Sequence, residues 1–442
     1  MHSDIVGNSQ ELLAVSEKKY QFLSAMLHCV NKNMDRGYIK IGAADRLLDS
    51  LVKFSITDKD LSKKTLESFK KERGIYPPSF IVLSPTQRCN LKCTDCYASS
   101  SISRAGKTLD FQTLDKIVGE CYNEWGNRFM TFSGGEPLIY QDSGKTLFDI
   151  WKKYPEMFFL LYTNGTLIDK EKAERIAELG NVTPTISIEG FKEETDERRG
   201  DGSFRKIMGA FENLKKAGVP FGASVTATRK NFSVLNDDKF YDFLFNEGIN
   251  YMWLFQLMPI GQAKDARESM ITPQQRVSLL REWEHLLGDK KYCIADFWNS
   301  GVLSNGCIAY GRNEGYLYVD WNGNIMPCVF VPYYMDNIKE LHKQGKKLAD
   351  ALFSDMFVRG REWQDSYGLR DLQQPKNWLM PCSIRDHYLN FKYNIARGVK
   401  AADESAESAI RDPEHEKMMK EFDSQLAKLT QPIWDEEYLN RK

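Results

Sequence analysis

Residues 84–97 read Ser-Pro-Thr-Gln-Arg-Cys-Asn-Leu-Lys-Cys-Thr-Asp-Cys-Tyr and place Cys89, Cys93 and Cys96 in a Cys-x3-Cys-x2-Cys spacing. The stretch directly follows residues 80–83, a short apolar run typical of a buried strand. In barrels of parallel strands the active site lies on the loops at the carboxyl ends of the strands. Thiolates are the usual ligands of iron–sulfur clusters, so three of them can hold three irons of a [4Fe–4S] cluster and leave the fourth iron open. On these cysteines alone, a structural zinc loop completed by a distant ligand is the alternative.

Five further apolar runs of strand length follow along the chain, at residues 129–132, 158–162, 185–188, 222–226 and 251–255. Helical patterns alternate with these runs, at residues 111–125, 146–153, 170–179, 203–217, 235–247 and 273–287. Strands that alternate with helices predict a parallel sheet with right-handed crossovers. Six such units are too few for the closed eight-unit barrel. The predicted fold class is therefore α/β, with a partial (βα)6 TIM-like barrel over residues 79–290.

The segments that flank this barrel have different patterns. Residues 1–75 predict a helical N-terminal segment, with helices over residues 9–34, 43–54 and 61–73. Their apolar faces, at residues 23–30 and 47–54, are expected to pack on the barrel, and contact with a lipid surface is the alternative. Residues 291–390 show few regular patterns and predict an irregular C-terminal domain. Residues 391–442 form a charged helical tail, with a helix expected over about 401–429.

A second motif, Thr131-Phe-Ser-Gly134-Gly135-Glu136-Pro137, follows the second predicted strand. Two glycines let the backbone approach a ligand closely, and the glutamate adds an anion that can pair with an ammonium group. Together with the three-cysteine loop this motif resembles the radical S-adenosylmethionine (SAM) superfamily, over roughly residues 79–287. The resemblance implies that Cys89, Cys93 and Cys96 bind a [4Fe–4S] cluster whose fourth iron is chelated by the amino and carboxylate groups of SAM. It also implies that the Gly-Gly-Glu-Pro turn contacts the SAM amine.

One position departs from the family pattern, because the residue before the third cysteine is usually aromatic and here it is Asp95. Tyr97 is the candidate to cover the cluster in its place. Ser187-Ile-Glu189-Gly190, followed by Asp196 and Arg199, resembles another family segment in which Glu189 replaces the usual aspartate. The resemblance implies that Ser187 and Glu189 bind the SAM ribose and that Arg199 faces the carboxylate. The alternative is that Asp196 and Arg199 pair on the surface of a helix.

A further cysteine set lies in the C-terminal region. Cys307 is followed by Gly323 and Cys328, and Cys382 comes later. Asn322-Gly323 predicts a β-hairpin with a type I′ turn. The spacing resembles the auxiliary-cluster domain of SPASM and twitch radical SAM enzymes, which implies one auxiliary [4Fe–4S] cluster.

The resemblance implies Cys307, Cys328 and Cys382 as ligands of this cluster. Cys293 is the candidate for the fourth ligand, and a non-cysteine ligand or an open site is the alternative. A buried small hydrophobe is the other interpretation of each late cysteine, and it is the preferred one for Cys29 and Cys121. Residue Gln256 and residues 258–261, after the sixth strand, are weaker candidates for contact with SAM.

Composition narrows the possible partners and the cellular compartment of the protein. The formal net charge is −1, so nothing favours a nucleic-acid partner. The sequence lacks an apolar run of about 18 residues and a secretory signal, which predicts a cytoplasmic protein without a transmembrane segment, and leaves peripheral membrane contact as an option. Nine cysteines without a signal argue against a disulfide framework.

The resemblance implies an enzyme that cleaves SAM reductively to a 5′-deoxyadenosyl radical, which abstracts hydrogen from an unactivated C–H bond. An electron donor such as flavodoxin or ferredoxin is the implied partner. A peptide or protein side chain is the favoured substrate, and a lipid or other long apolar molecule is the alternative. A non-catalytic zinc- or cluster-binding module is the alternative from another class.

Overall fold

The computed structural model describes residues 11–40, 42, 45, 59–100 and 106–440. Its centre is a ten-stranded sheet in the order β11-β9-β8-β1-β2-β3-β4-β5-β6-β7. These strands, with the short β10 and β12 of a separate pair, are β1 Phe80–Leu83, β2 Phe129–Phe132, β3 Phe158–Thr163, β4 Val182–Ser187, β5 Gly222–Ala227, β6 Met252–Gln256, β7 Ile294–Asp296, β8 Tyr316–Val319, β9 Asn324–Met326, β10 Tyr333–Tyr334, β11 Asp336–Asn337 and β12 Lys400–Ala401.

Strands β1 to β7 pair in chain order and all run parallel. Helices connect them, and nearly every strand residue is buried, as expected when a parallel sheet is covered on both faces. The register aligns the carboxyl ends, since Leu83 pairs with Phe132 and Phe132 pairs with Leu161. The loops after these strands therefore meet at one edge. The predicted α/β partial barrel is confirmed.

The α-helices are α1 Leu13–Asp35, α2 Lys59–Arg73, α3 Phe111–Asn123, α4 Leu147–Lys153, α5 Lys170–Leu179, α6 Lys192–Arg199, α7 Ser203–Ala217, α8 Phe232–Leu235, α9 Asp238–Asn246, α10 Pro273–Gly288, α11 Ile338–Lys343, α12 Asp355–Gln364, α13 Tyr388–Asn390, α14 Glu404–Arg411 and α15 Pro413–Ile433. Local sequence explains their starts. Asp110 caps α3 by accepting from the Thr113 N–H at 2.8 Å, and Thr272 with Gln275 forms a capping box at α10.

Several predicted boundaries differ from the structure. The helix predicted over 235–247 is two helices, α8 and α9, because Asp237 caps a new start at α9. Strand β4 begins at Val182, three residues before its predicted start at residue 185. Proline is unusual inside a sheet, so the sequence pattern favours a start after Pro184, whereas the structure includes Pro184 in the strand. The tail helix predicted over 401–429 is divided into α14 and α15 by Pro413, which occupies the first position of α15.

The C-terminal region extends the barrel sheet. Strand β8 pairs in parallel with β1, with Val82 opposite Tyr318, and β9 returns antiparallel beside β8. The predicted hairpin is present but its predicted type I′ turn is wrong. That turn requires positive φ at both Asn322 and Gly323, and only Gly323 has it, at 86°. The Asp320 carboxylate accepts from the backbone N–H groups of Asn322 and Asn324, which holds Asn322 in an ordinary conformation.

Helix α1 packs on the folded chain, but only part of the apolar face predicted at residues 23–30 is buried. Ala14, Val15, Ala25 and Cys29 are buried along it, and the Asn33 side chain donates to the Gly248 carbonyl at 2.9 Å. Leu23 and Leu27, at 40% and 57% exposure, lie on its outer side. The helix predicted over 43–54 lies outside the described residues. Within the residues that the structure describes, every helix is too short or too polar to cross a membrane.

Candidate active site

The three-cysteine loop and the ends of the barrel strands enclose a cavity of about 450 Å³. Cys89, Cys93 and Cys96 all line it, together with Gly134 and Gly135 of the second motif. The cavity lies at the carboxyl edge of the sheet, where the active sites of parallel barrels are found. The structure therefore brings the two predicted motifs to one site.

The loop conformation accounts for the departure at Asp95. This residue has φ 58°, in the left-handed region where aspartate is tolerated better than most side chains. Tyr97 links the loop to the second motif, because its hydroxyl lies 2.9 Å from the Ser133 hydroxyl and accepts from the Gly134 N–H at 3.3 Å. Gly261, in the 258–261 segment, supports the loop from behind, since a Cβ there would lie 2.3 Å from the Tyr97 carbonyl oxygen.

The two-glycine turn lies directly against the cysteine loop. The Gly135 N–H donates to the Thr86 carbonyl at 2.9 Å, and the Glu136 N–H donates to the Arg88 carbonyl at 2.8 Å. A Cβ on Gly135 would lie 2.2 Å from the Arg88 carbonyl oxygen, and Gly134 has φ 119°. Both positions require glycine, because any side chain would separate the two backbones.

Glu136 does not line the cavity, although a direct contact with the SAM amine was predicted for it. It is fully buried, and its carboxylate accepts from the Thr163 hydroxyl and from the backbone N–H groups of Leu138 and Asn164 at 2.8–3.0 Å. The Asn164 amide in turn donates to Cys89 Sγ at 3.8 Å. The geometry corrects the predicted role of Glu136. Its side chain fixes the two-glycine turn and Asn164, whose side chain contacts Cys89.

Glu189 is also behind the cavity wall instead of in it. Its buried carboxylate makes ion pairs with Arg198, at 2.7 Å, and with Arg199. Burial favours the neutral carboxyl, but the two guanidinium groups hold the pKa of Glu189 below its ordinary value. The predicted contact of Glu189 with the SAM ribose is thus replaced by an anchoring role.

The other residues of this segment are placed differently. Ser187 and Arg199 line the cavity, and the Ser187 hydroxyl lies 3.2 Å from that of Ser224. The alternative pairing of Asp196 with Arg199 is wrong, because Asp196 accepts from the Phe204 N–H at 2.8 Å. Of the six predicted cofactor-binding residues, four line the cavity: Gly134, Gly135, Ser187 and Arg199.

The chemistry of the donor set fits a cluster. Burial raises the pKa of Cys89 to about 12 and also raises that of Cys93, which Arg199 opposes. Such thiols lose their protons when a metal binds, since ligation and deprotonation are coupled. The Leu91 N–H points to Cys89 Sγ at 3.4 Å, a contact that stabilises a thiolate. In the part of the chain that the structure describes, no three histidine, cysteine or acidic side chains converge on a point that could hold a single ion.

The second cysteine set lines a separate cavity of about 170 Å³, which Cys307, Cys328 and Cys382 share. The Tyr316 hydroxyl donates to Cys328 Sγ at 2.9 Å, and the Phe330 N–H lies 3.4 Å from the same sulfur. These polar contacts to sulfur differ from the surroundings of a cysteine that acts only as a small hydrophobe.

Cys293 is not part of this set, which corrects its prediction as the fourth ligand. It precedes β7, is 2% exposed and has Cys29 of α1 as its electrostatic neighbour. Cys293 is close to Cys307 in sequence, but the second cavity is lined by Cys307, Cys328 and Cys382 and not by Cys293. Cys29 and Cys121 are buried within helices, as predicted.

Sequence reasoning missed the aromatic wall of the first cavity. Trp253 and Phe255 alternate along β6, Phe129 and Tyr162 come from β2 and β3, and Phe297 and Phe330 come from the loops after β7 and β9. Phe330 lies 5.8 Å from Phe255 and 6.5 Å from Tyr97, between ring centroids. The period-2 pattern of β6 was the one local signal for this wall. Both cavities are lined by Trp253, Phe297 and Tyr316, so they share a wall.

Residues 83–244 match the family model described as the Radical SAM superfamily. The chain is a radical SAM enzyme. Its cofactors are a [4Fe–4S] cluster and SAM. This excludes the alternative of a non-catalytic zinc-binding module.

Three similar proteins illustrate the range of this superfamily. This chain is 26% identical to the AdoMet-dependent heme synthase of Oleidesulfovibrio alaskensis over 361 residues, which are 75% of this chain and 84% of that protein. It is 27% identical to the mycofactocin maturase MftC of Mycolicibacterium smegmatis over 313 residues, which are 69% of this chain and 75% of that protein. Streptococcus suis SuiB bound to precursor peptide SuiA shares the fold, with a TM-score of 0.54 and 18% identity over 68% of this chain and 70% of that one.

Replacement of Gly135 by alanine tests the contact between the two motifs. We expect Gly135→Ala to weaken SAM binding at least about tenfold, roughly 1.4 kcal/mol, because the new Cβ forces the turn away from the Arg88 carbonyl. The measurement is equilibrium dialysis of SAM with anaerobically reconstituted protein. Gly209→Ala, on α7 where a Cβ meets nothing within 4 Å, is the control and should bind SAM normally. Equal SAM affinity of both variants would contradict the assignment.

Proposed function

We propose that this radical SAM enzyme abstracts hydrogen from an apolar or aromatic side chain of a peptide. The observation that carries the proposal is the cavity wall: it is aromatic, and it contains a buried amide acceptor, Gln256 Oε1, without a hydrogen-bond partner. Peptide N–H groups are donors for such an acceptor, and a buried acceptor left unpaired is costly.

Residues of this chain have separate roles in the proposed reaction. Cys89, Cys93 and Cys96 hold the cluster, while Gly134, Gly135, Ser187 and Arg199 bind SAM. When bound, the reduced cluster supplies the electron that cleaves SAM to methionine and a 5′-deoxyadenosyl radical, which abstracts the hydrogen. Glu189 orients Arg199 toward the cavity side, and Tyr97 keeps the cysteine loop against the glycine turn. The aromatic wall excludes water from the reacting atoms. An external donor such as flavodoxin or ferredoxin provides the electron.

Charge in the cavity separates a peptide from a tetrapyrrole. Heme-related substrates carry several ionised carboxylates, which need cationic partners when buried. Among the described residues that line the cavity, Arg198 and Arg199 are the cations, and both pair with Glu189. An uncharged side chain fits these surroundings better. The similarity to MftC and to SuiB, whose structure contains a precursor peptide, supports the same choice.

A hydrocarbon chain is the second apolar candidate, and Gln256 decides against it. The side chain is 1% exposed, and its Nε2 lies 3.3 Å from Asp296 Oδ1, which directs the amide so that Oε1 is the unpaired atom. A lipid tail offers no donor to this oxygen, whereas a peptide backbone offers one at every residue other than proline.

The proposal includes one auxiliary [4Fe–4S] cluster, held by Cys307, Cys328 and Cys382 with the fourth iron open or bound by a non-cysteine ligand. The contacts of Tyr316 and Phe330 to Cys328 Sγ support thiolate chemistry at this site. The shared wall of the two cavities supports a role for this cluster next to the substrate, either in binding it or in accepting an electron from it.

Cleavage of SAM tests the ligand assignment. Wild-type protein, reconstituted without oxygen and treated with SAM and dithionite, should form 5′-deoxyadenosine, and Cys93→Ala should form none because the cluster loses a ligand. The product is measured by liquid chromatography. Cys121→Ala, which removes a buried thiol of α3, is the control and should keep turnover. Activity in Cys93→Ala equal to that of the wild type would refute the assignment.

Deuterium transfer tests the substrate class. Capped tripeptides with a central leucine, phenylalanine, lysine or glutamate, deuterated in that side chain, are incubated with the enzyme, SAM and dithionite. Mass spectrometry should detect deuterium in 5′-deoxyadenosine for leucine and phenylalanine, at least about tenfold above lysine and glutamate, because burying a charged side chain against the aromatic wall is unfavourable. Phe255→Ala should reduce this preference, and Phe191→Ala, outside the cavity, should not. Turnover stimulated by iron coproporphyrin but by no peptide would overturn the proposal.

Iron content tests the auxiliary cluster. Reconstituted wild-type protein should contain about eight irons per chain, and the triple variant Cys307→Ala/Cys328→Ala/Cys382→Ala about four, because one cluster of four irons is lost. The iron is measured by a colorimetric assay against protein concentration. Cys293→Ala is the control and should retain about eight, since Cys293 lies beside Cys29. Four irons in the wild type would remove the auxiliary cluster from the proposal.

A further inference from the structure

Arg385 is a fully buried cation without an acidic partner. It lies three residues after Cys382, has no measurable exposure and donates through Nη1 to the Leu257 carbonyl at 3.3 Å. Its Nε and Nη2 have no hydrogen-bond partner. The guanidinium lies between the rings of Trp298 and Phe422, at 5.2 and 5.1 Å from their centroids. Burial lowers the pKa of this guanidinium to about 10, so it is charged at neutral pH.

Three buried carboxylates lie near Arg385, and none of them forms an ion pair with it. Asp386 forms a buried ion pair with Arg276, and Asp296 accepts from the backbone N–H groups of Trp298 and Asn299 at 3.0 Å. Asp423 accepts from the Tyr388 N–H at 2.9 Å, and burial raises its pKa to about 8, which favours its neutral form at neutral pH. Among the described residues, no carboxylate lies within 4 Å of the Arg385 guanidinium. A buried charge is very unfavourable unless an opposite charge compensates it, so the surroundings of Arg385 favour a further anion.

Arg312 repeats this arrangement at Cys307. It is 7% exposed, and it donates to the carbonyl oxygens of Cys307, at 2.8 Å, and of Ser304. These carbonyls hold the guanidinium in place but carry no charge. The electrostatic neighbours of Arg312 are Cys307 first and then Glu314 and Asp365, and among the described residues neither acid forms an ion pair with it. Arg385 is electrostatically coupled to Cys382. Two cations without an ion pair thus lie close to two of the three cysteines of the second cavity.

The charges around the first cysteine set, Cys89, Cys93 and Cys96, are arranged differently. Arg198 and Arg199 lie near Cys93, but Glu189 pairs with both of them. The Glu136 carboxylate, near Cys89, adds a second buried acid. The two cations of the first site therefore form direct ion pairs, and among the described residues the two cations of the second site form none.

We propose that Arg312 and Arg385 are the counter-charges of the auxiliary cluster and raise its reduction potential. This inference rests on the proposed auxiliary cluster. A [4Fe–4S] cluster with thiolate ligands is anionic, and one-electron reduction makes it more so. Fixed positive charge in a low-dielectric site favours the reduced form. Both arginines are positioning residues that act on the cluster by charge.

Redox titration followed by electron paramagnetic resonance tests the inference. The full chain carries Cys89→Ala, Cys93→Ala and Cys96→Ala, so that the signal comes from the auxiliary cluster alone. At a fixed solution potential, Arg385→Met should lower the ratio of reduced to oxidised cluster at least about tenfold, which is about 59 mV for a one-electron couple. Arg385→Lys keeps the charge and should stay close to the parent. Arg312→Met should shift the ratio in the same direction as Arg385→Met.

A matched control is Arg361→Met. Arg361 also donates to carbonyl oxygens, those of Tyr310 and Leu352, but its charge couples to acidic residues and to none of the cysteines. Its replacement should leave the potential unchanged. Equal shifts for Arg361→Met and Arg385→Met, or no shift for Arg385→Met, would overturn the inference while the auxiliary cluster stands.

Thermal unfolding of the iron-free protein is a second readout. Without a cluster, Arg385 is a buried charge without compensation, so Arg385→Met should raise the unfolding midpoint of the iron-free chain. With the cluster bound this gain should disappear, because the variant has then lost a favourable charge pair. A lower midpoint in the iron-free variant overturns the inference. Absence of iron from the parent with the three barrel cysteines replaced overturns the auxiliary cluster itself, and the inference with it.

Discussion

The contact between the Gly134–Gly135 turn and the cysteine loop is the constraint on which the active site depends. Two backbone hydrogen bonds join Gly135 and Glu136 to the carbonyls of Thr86 and Arg88, and no side chain can enter between them. The parallel register makes this contact, because it ends β1 and β2 at the same height. Hydrogen bonds of three side chains around this contact stabilise the same arrangement. Glu136 holds Asn164 beside Cys89, and Tyr97 joins the loop to the turn. The carboxylates of Glu136 and Glu189 thus bind other groups of the protein, whereas the glycine backbone and the cysteine thiols line the cavity.

Two cysteine sets share the aromatic wall, and their electrostatic surroundings differ. Near the first set the guanidinium groups are paired with Glu189, so the charge there is balanced before any ligand binds. Near the second set, Arg385 and Arg312 form no ion pair with any described acidic side chain, although acidic groups lie farther away. A cluster placed in each site would meet a different field. Since the protein sets the potential of an iron–sulfur cluster through charge, hydrogen bonds and burial, the difference gives the two sites different tasks.

The predictable part of the molecule is the part encoded by short stretches. The spacing of Cys89, Cys93 and Cys96, the Gly134–Gly135 pair and the alternation of strands with helices led to the correct fold and the correct cavity. The errors share a cause. Cys293 was grouped with Cys307 because the two are close in sequence, but it lies beside Cys29 of α1 and does not line the second cavity. Glu136 and Glu189 were assigned to SAM by motif, and their burial behind the wall depends on partners from other strands. The aromatic wall and Arg385 are assembled from distant segments, which no local pattern reveals.

The wall also explains why radical chemistry and substrate choice can be separate properties of one barrel. The groups proposed to bind the cluster and SAM lie at or after the carboxyl ends of β1, β2 and β4, whereas Phe297 and Phe330 of the wall lie in the loops after β7 and β9. Loops vary without disturbing the sheet that carries them, because the buried register fixes the strands independently. A change at Phe297 or Phe330 therefore alters what fits the cavity while the contact between the two motifs stays intact.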